Sequence, residues 1–233
     1  MPKLVWDKTG ERLYETGASK GALFVRNELG VSQEGVAWNG LIGVTESPEG
    51  GEETAKYANN KKYLSLTSAE ELNGTITAFT YPEEFAECDG SKPVAPGVYA
   101  GQQARRTFDL AYCTQVGNDT VGANHGQKLH LIYSAKVSPS SRENVTINDT
   151  PEAVEFSWDF TTTPQEVEAD GFQPTAKLTI NSLEVAPATW TALNDLVYGT
   201  AEAPASMPTI DEVIALVDPE PEAFALADPE PEE

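Results

Sequence analysis

Ala153-Val154-Glu155-Phe156-Ser157-Trp158-Asp159-Phe160 alternates apolar and polar residues throughout. Successive side chains of an extended chain point to opposite sides, so Val154, Phe156, Trp158 and Phe160 share one face, and Glu155, Ser157 and Asp159 the other. The stretch predicts a strand with one face in a core. The same period of two recurs on both sides of it. Within residues 128–137, Leu129, Leu131, Tyr133, Ala135 and Val137 fall together, with Lys128, His130, Ser134 and Lys136 among the residues opposite. Phe108, Leu110 and Tyr112 repeat the pattern, as do Ala176, Leu178 and Ile180. Residues 36–45 and 61–81 are rich in β-branched, aromatic and threonine side chains that suit a pleated sheet. The expected fold class is all-β, an antiparallel sandwich or barrel.

Two helices are expected to flank the sheet. Pro187 opens the first, Trp190, Leu193, Leu196 and Val197 form its apolar stripe, and Gly199 closes it. The second starts at Thr209, with Glu212 three residues on in a capping-box pattern, and places Ile210, Val213, Ile214 and Val217 on one face. A short helical turn at residues 82–88 competes with a loop. Residues 1–200 are expected to form the β-domain and residues 201–217 a linker and short helix. Residues 218–233 read as an acidic, Pro/Glu-rich disordered tail on the outer surface.

At 233 residues and 39% hydrophobic content the chain is long and apolar enough to bury a core, which excludes a wholly disordered protein. No stretch is apolar enough for a membrane helix. The start lacks the basic-then-apolar order of a secretory signal, so a cytosolic protein is expected, with Cys88 and Cys113 as ordinary thiols. Acids outnumber Lys and Arg by 37 to 15, a net charge of −22. That excess repels DNA, and no basic patch larger than Lys61-Lys62 or Arg105-Arg106 offsets it. Every base lies at or before Lys177, whereas twelve of the 37 acids follow it. Asp218-Pro219-Glu220-Pro221-Glu222 recurs as Asp228-Pro229-Glu230-Pro231-Glu232.

Catalytic patterns are weak. Gly17-Ala18-Ser19-Lys20-Gly21 fits G-x-S-x-G, but the strand-turn-helix context that makes Ser19 a nucleophile is missing. Cys88, Cys113, His125 and His130 are chemically suited to zinc, yet the two cysteines are too far apart in sequence for a structural site. Both histidines are expected to be solvated. Four Asn-x-Ser/Thr sequons, at Asn73, Asn118, Asn144 and Asn148, read as turn residues. Catalytic, cofactor-binding and metal-ligating residues are each expected to be none, and the chain is not expected to be an enzyme.

The N-terminal run Lys3-Leu4-Val5-Trp6-Asp7-Lys8-Thr9-Gly10-Glu11-Arg12-Leu13-Tyr14-Glu15-Thr16-Gly17 resembles the opening of major tail proteins of siphophages, the long, non-contractile-tailed bacteriophages. Three further blocks are similar in order and spacing: Gly35-Val36-Ala37-Trp38-Asn39-Gly40-Leu41, Lys61-Lys62-Tyr63-Leu64-Ser65-Leu66 followed by Ser68-Ala69-Glu70-Glu71, and Thr80-Tyr81-Pro82-Glu83-Glu84-Phe85-Ala86-Glu87-Cys88-Asp89-Gly90. The similarity extends to about Ser182, and residues beyond Gly199 match nothing in the family. The resemblance implies a β-sandwich with a packed helix whose six copies form a ring. Rings would stack into a virion tail tube, assembled in the host cytoplasm around a tape-measure protein and bounded by tail terminator and distal tail proteins. Sheet from every subunit would line the lumen through which DNA passes without specific binding, and no membrane is involved.

Anionic walls suit such passage, because they lack cationic sites where phosphate would stick. Glu155 and Asp159 are the lumen-facing candidates, with Asp109 a weaker third. Residues 46–60, which include Glu46, Glu49, Glu52, Glu53 and Lys56, have no apolar face and are expected to be a mobile loop that orders against the next ring. The rival readings are a surface or receptor-binding β-module, such as a tail decoration, and a β-rich hydrolase using Ser19.

Overall fold

The computed structural model of the chain describes residues 4–144, 146, 153–169 and 171–217. The expected disordered tail, residues 218–233, lies outside the described residues. Twelve strands and three helices follow one another as β1 (Leu13–Val25), β2 (Val36–Ala37), β3 (Leu41–Gly50), β4 (Glu53–Ala58), β5 (Lys61–Thr67), β6 (Glu70–Ala78), α1 (Phe85–Cys88), β7 (Lys92–Ala95), β8 (Val98–Ala100), β9 (Phe108–Asn118), β10 (Gly122–Val137), β11 (Phe156–Thr162), β12 (Lys177–Asn181), α2 (Pro187–Tyr198) and α3 (Ile210–Val217). The all-β class with flanking helices is as expected.

One antiparallel sheet runs in the order β2-β1-β9-β10-β11-β6-β3, and β12 also pairs with β10. The sheet curls so that β3 comes beside β1. Its concave side encloses Leu23, Ile76, Phe108, Leu110, Ile132, Trp158 and Phe160, with Phe85 of α1 packed among them. Trp158 sits at the centre, 5.1 Å from the Phe85 ring, 5.5 Å from Tyr81 and 5.9 Å from Trp38. The other side of β1, β9 and β10 carries Ala22, Phe24, Ala111, Cys113, Leu129, Leu131 and Tyr133, which α2 and α3 cover with Leu193, Val197, Ile210 and Val213. β9 and the adjoining parts of β1 and β10 are therefore buried on both faces, and alternation is lost at Leu23-Phe24-Val25 and Leu131-Ile132-Tyr133, where apolar residues follow one another.

The sequence places residues 129–137 on a single face, and the structure corrects this. Leu129, Leu131 and Tyr133 face the helices, but Ala135 and Val137 face the concave core. A bulge intervenes between Ile132 and Ala135, where Ser134 adopts φ 51°. One extra residue in a strand of side-chain period two moves everything beyond it to the opposite face.

Both helices end as their sequences predict. Pro187 occupies the first turn of α2, and Gly199 follows its last residue with φ 74°. At α3 the Thr209 N–H donates to Glu212 Oε2 at 2.8 Å and the Glu212 N–H donates to Thr209 Oγ1 at 3.2 Å, a complete capping box. Residues 201–208 are not a free linker. The Ala205 carbonyl accepts from the Gly35 N–H at 2.9 Å, the Ser206 N–H donates to the Leu196 carbonyl at 2.9 Å, and Met207 packs on the helix-side core. The short turn at residues 82–88 is realised as α1.

Candidate functional site

The polar residues of β11 stand on the side of the sheet that no helix covers. Ser157, Asp159 and Thr161 are exposed and pair across β6 with Thr77, Thr75 and Asn73, which pair in turn with Gly43, Thr45 and Ser47 of β3. Glu49 and Glu71 extend the row as a cross-strand pair of like charges. The result is a three-stranded face of hydroxyls, amides and carboxylates. Among the described residues the row has no lysine or arginine until Lys136 of β10, opposite Thr161 at the border. Thr75 Oγ1 donates to Asp159 Oδ1 at 2.7 Å, fixing that carboxylate on the face. Glu155 is exposed one residue before β11 begins, on the same parity as Asp159.

Asp109 does not belong with them. It is fully buried on the helix side, where Arg26 Nε donates to both carboxylate oxygens at 2.9 and 3.0 Å, and Ser32 Oγ donates as well. Its Oδ1 also accepts from the Ser134 N–H at 2.6 Å. Asp109 is the single residue opposite Tyr133 and Ser134, the two residues of the β10 bulge. Its carboxylate replaces the lost ladder partner of the bulged strand. The sequence reading fails here because β9 is covered on both faces, so the residue alternating with core positions lies in a second core.

Residues 46–60 are also corrected. They form the second half of β3 and all of β4 rather than a loop, and β4 pairs with β5 as a separate hairpin. Asn59 and Asn60 both take positive φ, 51° and 60°, as a two-residue hairpin turn of twisted strands requires. Gly50 and Gly51, φ 90° and 69°, break the ladder between β3–β6 and β4–β5. A Cβ at Gly50 would lie 2.2 Å from the Ala69 carbonyl oxygen, so only glycine fits. Every residue of β5 is exposed, as are all but one of β4, and Tyr57 and Tyr63 keep 72% and 75% of their surface open. This is an arm that leaves the body.

The five arm candidates separate. Glu52 lies in the break and Glu49 on the hydroxyl face. Glu53 forms an exposed pair with Lys62 at 2.7 Å, and Lys56 is exposed opposite Leu64. Glu46 instead turns towards the body, where it accepts from Tyr112 Oη at 2.6 Å and pairs with Lys177. Burial alone would raise the Glu46 carboxyl; the hydrogen bonds from Lys177 and Tyr112 outweigh it and hold the group below its ordinary range. Glu46 thus fastens the arm's root to β9 and β12.

His130 completes this cluster, and it is buried rather than solvated. Its ring stacks on Tyr112 at 4.6 Å between centroids, with Thr114 Oγ1 2.9 Å from Nε2 and Thr179 Oγ1 3.3 Å from Nδ1. Burial pushes its pKa down, and nearby Lys177 acts the same way. No sequence signal marks this cluster, since its members come from β3, β9, β10 and β12.

The catalytic alternatives find no assembly. Ser19 lies inside β1 beside a bulge and donates only to the Cys113 carbonyl, at 3.4 Å, so G-x-S-x-G here is strand and not a nucleophile elbow. Cys88 belongs to the concave core and Cys113 to the helix-side core, on opposite faces of the sheet. Burial raises both thiols, Cys88 to about 12. Among the described residues no three His, Cys, Asp or Glu side chains gather as a metal site. No family model matches the chain, and no curated protein matches it either.

Proposed function

We propose that this chain is a tube-forming virion subunit, which closes into hexameric rings and stacks into the tail tube that conducts a phage genome. The observation that supports it best is the β11–β6–β3 face. Its hydroxyls, amides and carboxylates give a passing polyanion nothing cationic to grip. In a ring of six copies, Asp159 and Glu155 repeat as bands of negative charge around the lumen. The arm supplies the second part of the reading. A two-stranded hairpin exposed on both faces gains little from its own body, and Tyr57, Tyr63, Leu64 and Leu66 offer a neighbouring ring the apolar surface that would order it.

Electron microscopy of the purified protein tests the assembly: rings and tubes support it, and featureless monomers at high concentration overturn it. The lumen assignment has its own test. Glu155→Lys with Asp159→Lys should permit assembly but slow DNA ejection, and added salt should relieve the delay. Ejection at an unchanged, salt-independent rate removes both residues from the channel wall.

A further inference from the structure

One region reverses the chain's charge. Lys92, Arg105 and Arg106 line a groove of about 310 Å³ with Glu28 and Glu87, and Arg105 shares a second groove, of about 400 Å³, with Lys136. Arg106 pairs with Glu87 at 2.9 Å. Among the described residues, Lys92, Arg105 and Lys136 have no ion-pair partner. Arg105 Nε is buried with no hydrogen-bond partner among those residues. Its guanidinium lies over Gly90, φ 80°, where an added Cβ would come within 3.1 Å of Arg105 Cζ. A buried guanidinium nitrogen without an acceptor is costly, and a carboxylate is the acceptor that fits its fork.

The same chain supplies such carboxylates. Residues 218–233 contain seven acids and no base, arranged as two Asp-Pro-Glu-Pro-Glu blocks around Phe224 and Leu226. We propose that this acidic segment docks on the Lys92–Arg105–Arg106–Lys136 patch of its own chain. Sixteen residues extend to about 50 Å, against about 70 Å for half the circumference of a compact body of this length, so the segment sweeps most of the surface around the end of α3 but not the point opposite it. Two prolines in each block reduce the conformational entropy lost on docking, and the anionic blocks find here four neighbouring cations, Lys92, Arg105, Arg106 and Lys136. The patch begins at Lys136, where the hydroxyl-lined face ends, so the segment masks the cations nearest that face. The inference does not depend on tube formation.

Zero-length carbodiimide crosslinking of the full-length protein, mapped by mass spectrometry in a mixture of isotope-labelled and unlabelled chains, tests it. Crosslinks from carboxylates of residues 218–233 should concentrate on Lys92 and Lys136 and stay within one chain. They should fall about fivefold in roughly 0.5 M salt, which screens exposed charges, and by a similar factor in Arg105→Glu. The Lys177–Glu46 crosslink, from a pair 131 residues apart in sequence that ties β12 to β3, serves as the yardstick that the variant is folded. Crosslinks that gather on Lys56, Lys61 and Lys62, spread without preference, or join labelled to unlabelled chains overturn the proposal.

Discussion

β10 and β5 are both antiparallel strands, yet they are stabilised in opposite ways. Residues 129–133 of β10 are buried without interruption, and every residue of β5 is exposed. In β10 the backbone ladder is the smaller part, because each side chain also leaves water, at about 25 cal/mol per Å² of apolar surface. In β5 the ladder is nearly all there is. Pleated geometry therefore reports how a segment pairs, while burial decides whether the pairing survives without a partner.

That contrast can be broken at its strong end first. Trp158→Ala should cost about 3–5 kcal/mol in denaturant unfolding, because the ring is buried among Phe85, Tyr81 and Trp38 and its removal leaves a cavity. A loss below 1 kcal/mol would mean that the concave core is not the stabilising one. Asp109→Ala comes next, at about 3 kcal/mol, because it strands the Arg26 guanidinium and the Ser134 N–H together. If unfolding of that variant matches wild type, the bulge does not need its carboxylate.

A smaller effect follows from acidity around the arm's root. His130 is held below 6.5 in the fold, so the unfolded chain takes up its proton first, and stability should be complete above about pH 6.5 and decline below it. Glu46 is held below 4.5, so its contribution is present above that value and is lost as pH falls through its folded pKa. Glu15, Lys128, Lys177 and Glu46 are the charges that act on His130. His130→Asn should flatten the slope just below pH 6.5 and leave the more acidic limb that belongs to Glu46; melting curves taken downward from pH 6.5 decide it.

The weak end of the contrast gives the smallest change. Tyr57→Ser with Tyr63→Ser should shift the stability of the free subunit by less than about 0.5 kcal/mol, since both rings stand in water. The same pair should impair stacking of rings under the proposed function. A large loss of subunit stability would show that the arm folds back on its own body.

Where the amino-acid pattern carried the structure, local physics was sufficient. Period two at residues 156–160, the Thr209/Glu212 box and the Pro187 and Gly199 ends each depend on residues close in sequence. The misreadings have non-local causes. Ser134 changes the face of β10 because Asp109, 25 residues away, receives its N–H. The charged residues 46–60 form strands because β5 and β6 supply the apolar and threonine-rich partners. His130 is buried because β9 and β12 flank it. The hydroxyl face was partly legible: Ser157 and Asp159 were assigned to it, but Thr45, Thr75 and Thr77 join only through register.

The two thiols make a natural pair of clocks. Cys88 reports on the concave core and Cys113 on the helix-side core, and with both sulfhydryls buried and held protonated a native subunit should resist alkylation. Each sulfur becomes reactive only when its own layer opens. Equal modification rates in mild denaturant would describe a protein that opens as one cooperative unit, whereas faster reaction at Cys113 would show the helices lifting from the sheet while the concave core stays shut.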